Sequence, residues 1–312
     1  MASNQPSVFI DGEAGTTGLG IRQRLETIPG IALRSLPTAQ RKDRSARQDM
    51  MADCELVVLC LPDDAAREAV GLARALRSDA PKLLDASTAH RVDPEWTYGF
   101  PEMAPDQPRQ IAGSRKVSNP GCYPTGAIGL LRPLVEAGLV ASDYPFAINA
   151  VTGYSGGGRS MIEAHDRDGG PAFELYALGL EHKHVPETEL YSGLTRRPIF
   201  LPSVGHFRQG MLVSVPLHLD DLPGKPTGAD LRDALRAFYE GSEHVKVMAG
   251  NGQDKLEPEA LNDTNRLELY VWENNARHQA VLIARLDNLG KGASGAAVQN
   301  LRLMLDLGPG PG

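Results

Sequence analysis

A lone cysteine stands in "KVSNPGCYPTGAIGLL", residues 116–131, between Pro120-Gly121 and Pro124 and directly ahead of an apolar run with helical spacing. A cysteine that only fills a core sits inside an apolar run, as Cys60 does in "ELVVLCLP". Cys122 is placed at a helix start instead, since Pro124 suits a first turn where its missing N–H costs nothing. A helix N-terminus stabilises a thiolate and can bring a cysteine pKa from about 8.5 into the range ~3.5 to 7.5, which makes a nucleophile toward acyl groups. Such a thiolate needs a partner base. Four histidines are in suggestive places: His182 and His184 in "LEHKHVPETE", His206 in "SVGHFRQG", and His165 after the glycine-rich "GYSGGGRS". If "EHKHV" is extended, alternation puts His182 and His184 on one face.

A second chemical motif lies at the start. "FIDGEAGTTGLG" carries Gly12, Gly15 and Gly18 where a first strand turns into a first helix. Glycines there let the backbone approach a pyrophosphate seated on the helix N-terminus, and Gly12, Gly15, Thr16, Thr17 and Gly18 are the candidate contacts. The spacing is GxxGxxG, one residue longer than GxGxxG, so its weight comes from its position in a βαβ pattern. The second strand, "IALRSL", does not end in the carboxylate that would bind a ribose 2′-hydroxyl; Arg34, Ser35, Arg41, Lys42 and Arg44 cluster there. A 2′-phosphate fits that charge better, so NADP is expected over NAD. The plainer alternative is a solvated basic loop. "GYSGG", residues 153–157, matches the GxSxG elbow of serine hydrolases, but three successive glycines and Arg159 make a poor helix start, so Ser155 to Arg159 reads as a loop offering backbone amides.

The elements that must position these groups follow from the pattern. With 312 residues, 41% hydrophobic and 23% charged, two cores are expected. A net charge of -7 without a basic block argues against nucleic acid or an acidic membrane as partner. No apolar stretch approaches the roughly 20 residues of a membrane span, "MASNQPSVFIDG" lacks the features of a secretory signal, and the three cysteines form no disulfide framework, so a cytoplasmic chain is expected. The first 90 residues alternate strand and helix: "SVFID", "TGLGIRQRLETI", "IALRSL", "ELVVLCLP", "DDAAREAVGLARALRS", "KLLDAS". That alternation implies a parallel sheet covered by helices. After the cysteine helix, which should stop at Gly138, long extended runs take over: "PFAINAVTG", "RRPIFLPSVGHFRQGMLVSVPLHL", "RLELYVWE" and "QAVLIARLD". They predict a largely antiparallel second layer. Between them "TGADLRDALRAFYEG" predicts a helix capped by Thr227 or Asp230, and "GASGAAVQNLRLMLDLG" a last amphipathic helix before the frayed "GPGPG" end.

Taken together, "SNPGCYPTG", "FIDGEAGTTGLGIRQRL", "EHKHVPE" and "DNLGKGASGAAVQN" resemble the N-acetyl-gamma-glutamyl-phosphate reductases of arginine biosynthesis, in their shorter form, over nearly the full chain. "NPGCYPT" is specific to that family, while the last motif is shared in outline with aspartate-semialdehyde dehydrogenases. The resemblance implies an α/β Rossmann domain for NADP over residues 1–120, an α+β catalytic domain of the glyceraldehyde-3-phosphate-dehydrogenase kind over 121–286, and a C-terminal helix over 287–312 that returns to the first domain. It implies Cys122 as nucleophile, His184 and His182 from the "HxHxPE" pattern, and Asn288 and Gly292 among the cofactor contacts. His206 matches the strand-borne histidine of the aspartate-semialdehyde relatives, and which histidine is acid and base stays open. Arg91 in "DASTAHR" resembles their phosphate-holding arginine, with Arg208 or Arg159 for the substrate carboxylate. The implied reaction is reduction of an acyl phosphate by NADPH through a thioester, in a homo-oligomer, dimer or tetramer, acting on a small molecule. This chain has "GEAGTTG" where longer members carry a "GASGYTG"-like loop. Three alternatives are another acyl-phosphate reductase such as an aspartate-semialdehyde dehydrogenase, a cysteine acyltransferase or hydrolase without the nucleotide loop, and an NADP-binding redox sensor without the histidines.

Overall fold

A computed structural model of the protein describes residues 5–249 and 254–308, so the "GPGPG" end beyond Gly308 and the first four residues lie outside the described residues. Two compact units divide the chain, one taking it up to Pro120 and again from Ala293, the other running from Gly121 to Gly292. Residues 287–292, grouped by sequence with the C-terminal helix, fall in the second unit. Their side chains explain it: Asp287 Oδ2 accepts from the Asp263 N–H at 2.7 Å and Asn288 Oδ1 from the Gly210 N–H at 2.8 Å.

The first unit is built from β1 (Ser7–Asp11), α1 (Thr16–Glu26), β2 (Ala32–Arg34), α2 (Arg44–Ala52), β3 (Leu56–Leu59), α3 (Asp63–Ala75), β4 (Lys82–Asp85), β5 (Thr97–Tyr98), α4 (Gln107–Gly113), β6 (Lys116–Ser118) and, from the far end of the chain, α9 (Gly295–Met304). Its six strands are all parallel in the order β2-β1-β3-β4-β6-β5. Period-two alternation decides which residue faces which helix layer. Val8, Ile10, Leu56 and Val58 point to one side, where Ile21 and Leu25 of α1 and Ala297, Leu301 and Met304 of α9 close the core. Phe9, Val57, Leu59 and Leu83 point to the other, against Met51, Ala69 and Leu72 of α2 and α3. The order reverses between β1 and β3. In open parallel sheets ligands bind outside the carboxyl ends of the strands at that reversal, which is where the glycine turn lies.

The second unit holds α5 (Cys122–Glu136), β7 (Ala147–Gly153), α6 (Gly158–Asp168), β8 (Phe173–Leu175), α7 (Val185–Ser192), β9 (Ile199–Gly205), β10 (Met211–His218), α8 (Gly228–Phe238), β11 (Val245–Val247), β12 (Leu267–Asn274) and β13 (Gln279–Leu286). Its seven-stranded sheet runs β11-β12-β13-β10-β7-β9-β8. The β12-β13-β10-β7 core is antiparallel and β7-β9 and β11-β12 are parallel, so the sheet is mixed. Helix α5 lies on this sheet: Gly126 has no room for a side chain, since a Cβ would stand 2.9 Å from Val213 of β10. As its sequence implies, α5 gives way at Gly138, which has φ +69°. Helix α8 opens with a reciprocal capping box between Thr227 and Asp230. No helix among the described residues is long and apolar enough to cross a membrane.

Three local expectations need correction. The run from Arg196 to Leu219 is not one strand; β9 and β10 are separated by a turn over 206–209, so His206 and Arg208 are on a turn, not a strand. The "EHKHV" segment is not extended: it turns into α7, with His184 as N-cap at φ −88° and ψ −11°. Ser155 to Arg159 is not an amide-offering loop. It is a helical turn over Tyr154–Gly157 leading into α6, and the Tyr154 and Ser155 N–H groups donate to the carbonyls of Phe207 and Arg208 at 2.9 and 3.0 Å.

Candidate active site

In the first unit, the turn after β1 is as tight as its glycines imply. Gly12 has φ +93°, and a Cβ at Gly18 would stand 2.5 Å from the Gly12 carbonyl oxygen. Helix α1 begins at Thr16 and Thr17 behind the N-cap Gly15, with no side-chain cap and no acidic residue in its first turn. Its leading amides are therefore left by the protein's side chains for an anion, which fits the pyrophosphate of a dinucleotide. Ser35 and Arg41 stand beyond β2 as expected, and Arg34 is exposed. What the sequence reading did not foresee is Glu13, within the glycine turn and only 8% exposed, whose carboxylate is bound by Arg22, Arg41 and Ser35. Arg91 is buried and donates through Nε to the Asn119 carbonyl at 3.0 Å. Asn119 is held further by the Asn300 amide, which donates to its Oδ1, and by its own bond to the Ala293 carbonyl, so residues 118–120 are fixed within this unit.

In the second unit, Cys122 is the first residue of α5, partly exposed, behind the N-cap Gly121; no side chain caps the helix and its first turn has no acidic residue. The buried carboxylate of Glu187 accepts from the Gly121 N–H at 3.1 Å and so ties α7 to the residue before the cysteine. Around the helix start is a cluster of rings: His182 lies 4.8 Å from His184, 5.1 Å from Phe200 and 6.0 Å from Tyr123, and Tyr123 lies 5.9 Å from His184, centroid to centroid. The two histidines come together because the turn folds one over the other; the His184 N–H donates to His182 Nδ1 at 3.1 Å. An accepting Nδ1 puts the proton of a neutral His182 on Nε2. Tyr176 donates to the Tyr123 hydroxyl at 3.1 Å, and Tyr123 donates to the Ser203 carbonyl at 3.2 Å. Burial first, with Cys122 contributing, pushes Tyr176 up to about 12, so its phenol stays protonated at neutral pH. Burial, Tyr176 and Cys122 raise Tyr123 as well.

The remaining candidates separate from this cluster. His206 is exposed and stacks 5.6 Å from His165, which in turn stacks 4.5 Å from Tyr154; none of these rings is in contact with the His182 group among the described contacts. Arg208 is exposed on the same turn as His206. Arg159 is exposed and paired with Glu163 one turn along α6 at 2.7 Å. Ser155 has a strand before it and a helix after it, as an elbow would, yet it is 3% exposed and its Oγ accepts from the Asn288 amide at 2.9 Å. Asn288 uses both amide atoms inside the unit, on Ser155 and Gly210, so it positions loops. Gly292 packs on Cys122: a Cβ there would stand 2.7 Å from Cys122 Cβ.

The family models match both units. Residues 10–111 match the semialdehyde dehydrogenase NAD binding domain and residues 122–288 the semialdehyde dehydrogenase dimerisation domain. N-acetyl-gamma-glutamyl-phosphate reductase of Burkholderia cenocepacia is 51% identical over 307 residues, covering 96% of this chain and 97% of the relative. The chain belongs to the N-acetyl-gamma-glutamyl-phosphate reductase family. An N-acetyl-gamma-glutamyl-phosphate reductase 2 of Pseudomonas putida is also 51% identical, over 306 residues and the same shares; one of Nostoc sp. is 47% identical over 318 residues, covering 97% and 98%. Among solved structures, aspartate semialdehyde dehydrogenase from Francisella tularensis superposes with TM-score 0.72 at 14% identity, covering 96% of this chain and all of its own. Aspartate semialdehyde dehydrogenase II from Vibrio cholerae gives 0.69 at 16%, covering 97% and 99%. At such identities these two share the fold. This reductase is thus an oxidoreductase with a nicotinamide-nucleotide domain.

Two predictions arise from the cysteines of this reductase. Cys54 and Cys60 belong to the first unit's core, where burial pushes the Cys54 thiol up to about 11 and the Cys60 thiol further. Cys122 should therefore react first with iodoacetamide at pH 7.5, and peptide mapping that found Cys60 labelled earlier would contradict its placement. Gly292→Ala forces a methyl group against the cysteine's own Cβ. Overpacking of this kind costs about 1–3 kcal/mol, so the variant should melt lower and alkylate Cys122 at an altered rate; a wild-type melting curve and rate would show that the helix start yields freely.

Proposed function

We propose that this reductase converts an N-acetyl-glutamyl 5-phosphate to the corresponding 5-semialdehyde with release of phosphate, using NADPH, by way of a thioester on Cys122. The observation that carries the reading is the partly exposed Cys122 at the uncapped N-terminus of α5, with a histidine pair and the Tyr123 ring grouped about that helix start. The α5 amides stabilise the thiolate. Its sulfur attacks the acyl carbon, a C–S bond forms, and the C–O bond to phosphate breaks as phosphate departs with the electron pair. Bound NADPH supplies the hydride that reduces the thioester carbon. His182 or His184 donates a proton to the oxygen that hydride addition leaves negatively charged, and takes the same proton back as the C=O bond re-forms, the carbon–sulfur bond breaks and sulfur leaves as thiolate. General acid–base help of this kind is worth about 10² to 10⁴ in rate.

The nucleotide is held by Gly12, Gly15, Thr16, Thr17 and Gly18 at the α1 N-terminus, with Ser35 and Arg41 toward the 2′-phosphate. Arg91 is assigned to the substrate phosphate and Arg208 to its carboxylate; Arg159 is engaged with Glu163. Support for a homo-oligomer comes from exposed apolar side chains, Phe173 and Leu175 on the edge strand β8 and Ile199 on β9. A cytoplasmic location accords with an NADPH-dependent reaction on a small metabolite.

The test runs the reaction backwards. NADP should be reduced by N-acetyl-glutamate semialdehyde only when inorganic phosphate is present. Reduction without phosphate would remove the acyl-phosphate step, and equal turnover of aspartate semialdehyde would shift the substrate to that of the structural relatives.

A further inference from the structure

An acidic residue stands where a basic pocket should be open. Glu13 Oε1 accepts from Arg41 Nη2 at 2.6 Å, and Glu13 Oε2 accepts from Arg22 Nη1 at 2.6 Å and Ser35 Oγ at 2.8 Å. Arg22 also donates to Ser35 at 2.7 Å, so the four side chains form one closed network. Ser35 and Arg41 follow β2, the position from which Rossmann folds recognise the ribose 2′ substituent. The carboxylate is nearly buried, whereas Arg22 and Arg41 are about a third exposed, with side-chain values of 33% and 38%. Two cations and a hydroxyl converging on one point are what an anionic oxygen cluster requires, and here the protein supplies that anion from its own glycine turn.

We propose that Glu13 sets the nucleotide preference, by occupying the 2′-phosphate position in the free protein and competing with that phosphate for Arg22, Arg41 and Ser35. The inference rests on the dinucleotide reading of the first unit. A dianionic 2′-phosphate cannot share the cluster with the carboxylate without strong repulsion, so Glu13 leaves when NADPH binds. With NADH there is no phosphate to bind, and a carboxylate at this place accepts from the ribose 2′-hydroxyl, the part played elsewhere by an acidic residue at the end of the second strand. The absence of such a residue from "IALRSL" is therefore made good by one 20 or so positions earlier, and the preference for NADPH is smaller than the arginines alone would give.

The experiment measures binding without turnover. Fluorescence titrations give Kd for NADPH and NADH, and calorimetry gives Kd for the fragments 2′,5′-ADP and 5′-AMP, in the wild type, Glu13→Gln and Glu13→Asp. Glu13→Gln should bind NADPH and 2′,5′-ADP about tenfold or more tightly than the wild type, and NADH and 5′-AMP no more tightly than before. Glu13→Asp, a methylene shorter and still charged, should move the ratio in the same direction by less, and it decides alone if the glutamine variant does not fold. Unchanged ratios of NADH to NADPH affinity in the folded variants would overturn the selector role while leaving the nucleotide site standing. A wild type that binds none of the four probes would instead overturn the dinucleotide reading itself.

Discussion

Cys122→Ser should lose at least about 10³-fold in turnover while binding NADPH as the wild type does. Serine keeps the size and the helix position, but a hydroxyl at the head of α5 holds its proton far more tightly than a thiol does. The nucleotide turn belongs to the first unit and Cys122 to the second, so affinity for the cofactor has no reason to fall. The measurement is paired: fluorescence titration with NADPH, then phosphate-dependent reduction of NADP. Substantial residual activity would sink the covalent route, and a large drop in NADPH affinity would mean the substitution had disturbed more than the nucleophile.

The second large effect belongs to the histidines. At least one of His182→Asn and His184→Asn should lower kcat by about 10² or more, and His206→Asn should change it little, because His206 is exposed and stacked with His165, apart from the ring cluster about Tyr123. The pH dependence carries the sign. In the aldehyde-oxidising direction the base must be unprotonated to take the proton, so activity falls as pH drops and the histidine becomes charged; losing that histidine flattens the low-pH limb. If His206→Asn alone lost both kcat and the limb, the acid–base role would move to the β9–β10 turn.

Much of this was legible from residue types. The βαβ punctuation, the Cys122 helix and its stop at Gly138, and the Thr227–Asp230 cap are local signals, and local backbone preference is what a single sequence reports best. The pairing of His182 with His184 was right in outcome and wrong in geometry, since alternation along a strand and a turn into α7 both put two residues together. Long-range partners were not readable. Nothing near Glu187 announces that its carboxylate meets the Gly121 N–H 66 positions away, although its place in "HxHxPE" was a hint. Glu13 was hidden for the same reason: its three partners come from α1 and from beyond β2, and only the fold brings them to one point. Tyr176 follows a strand with three exposed residues, so no apolar pattern marks it.

The first unit is written in two instalments. Its β1 and β3 face is closed by α1 together with Ala297, Leu301 and Met304, residues that a ribosome delivers after every strand of the second unit. The domain that starts first therefore finishes last, and until then the apolar side of its sheet is covered only in part. Nascent chains are most prone to association while such surface waits for its partner. A chain stopped at Gly292 should keep a folded second unit and present a first unit that binds a hydrophobic dye and is cleaved readily by protease; a truncated chain as resistant as the full one would show that α9 is dispensable for closure.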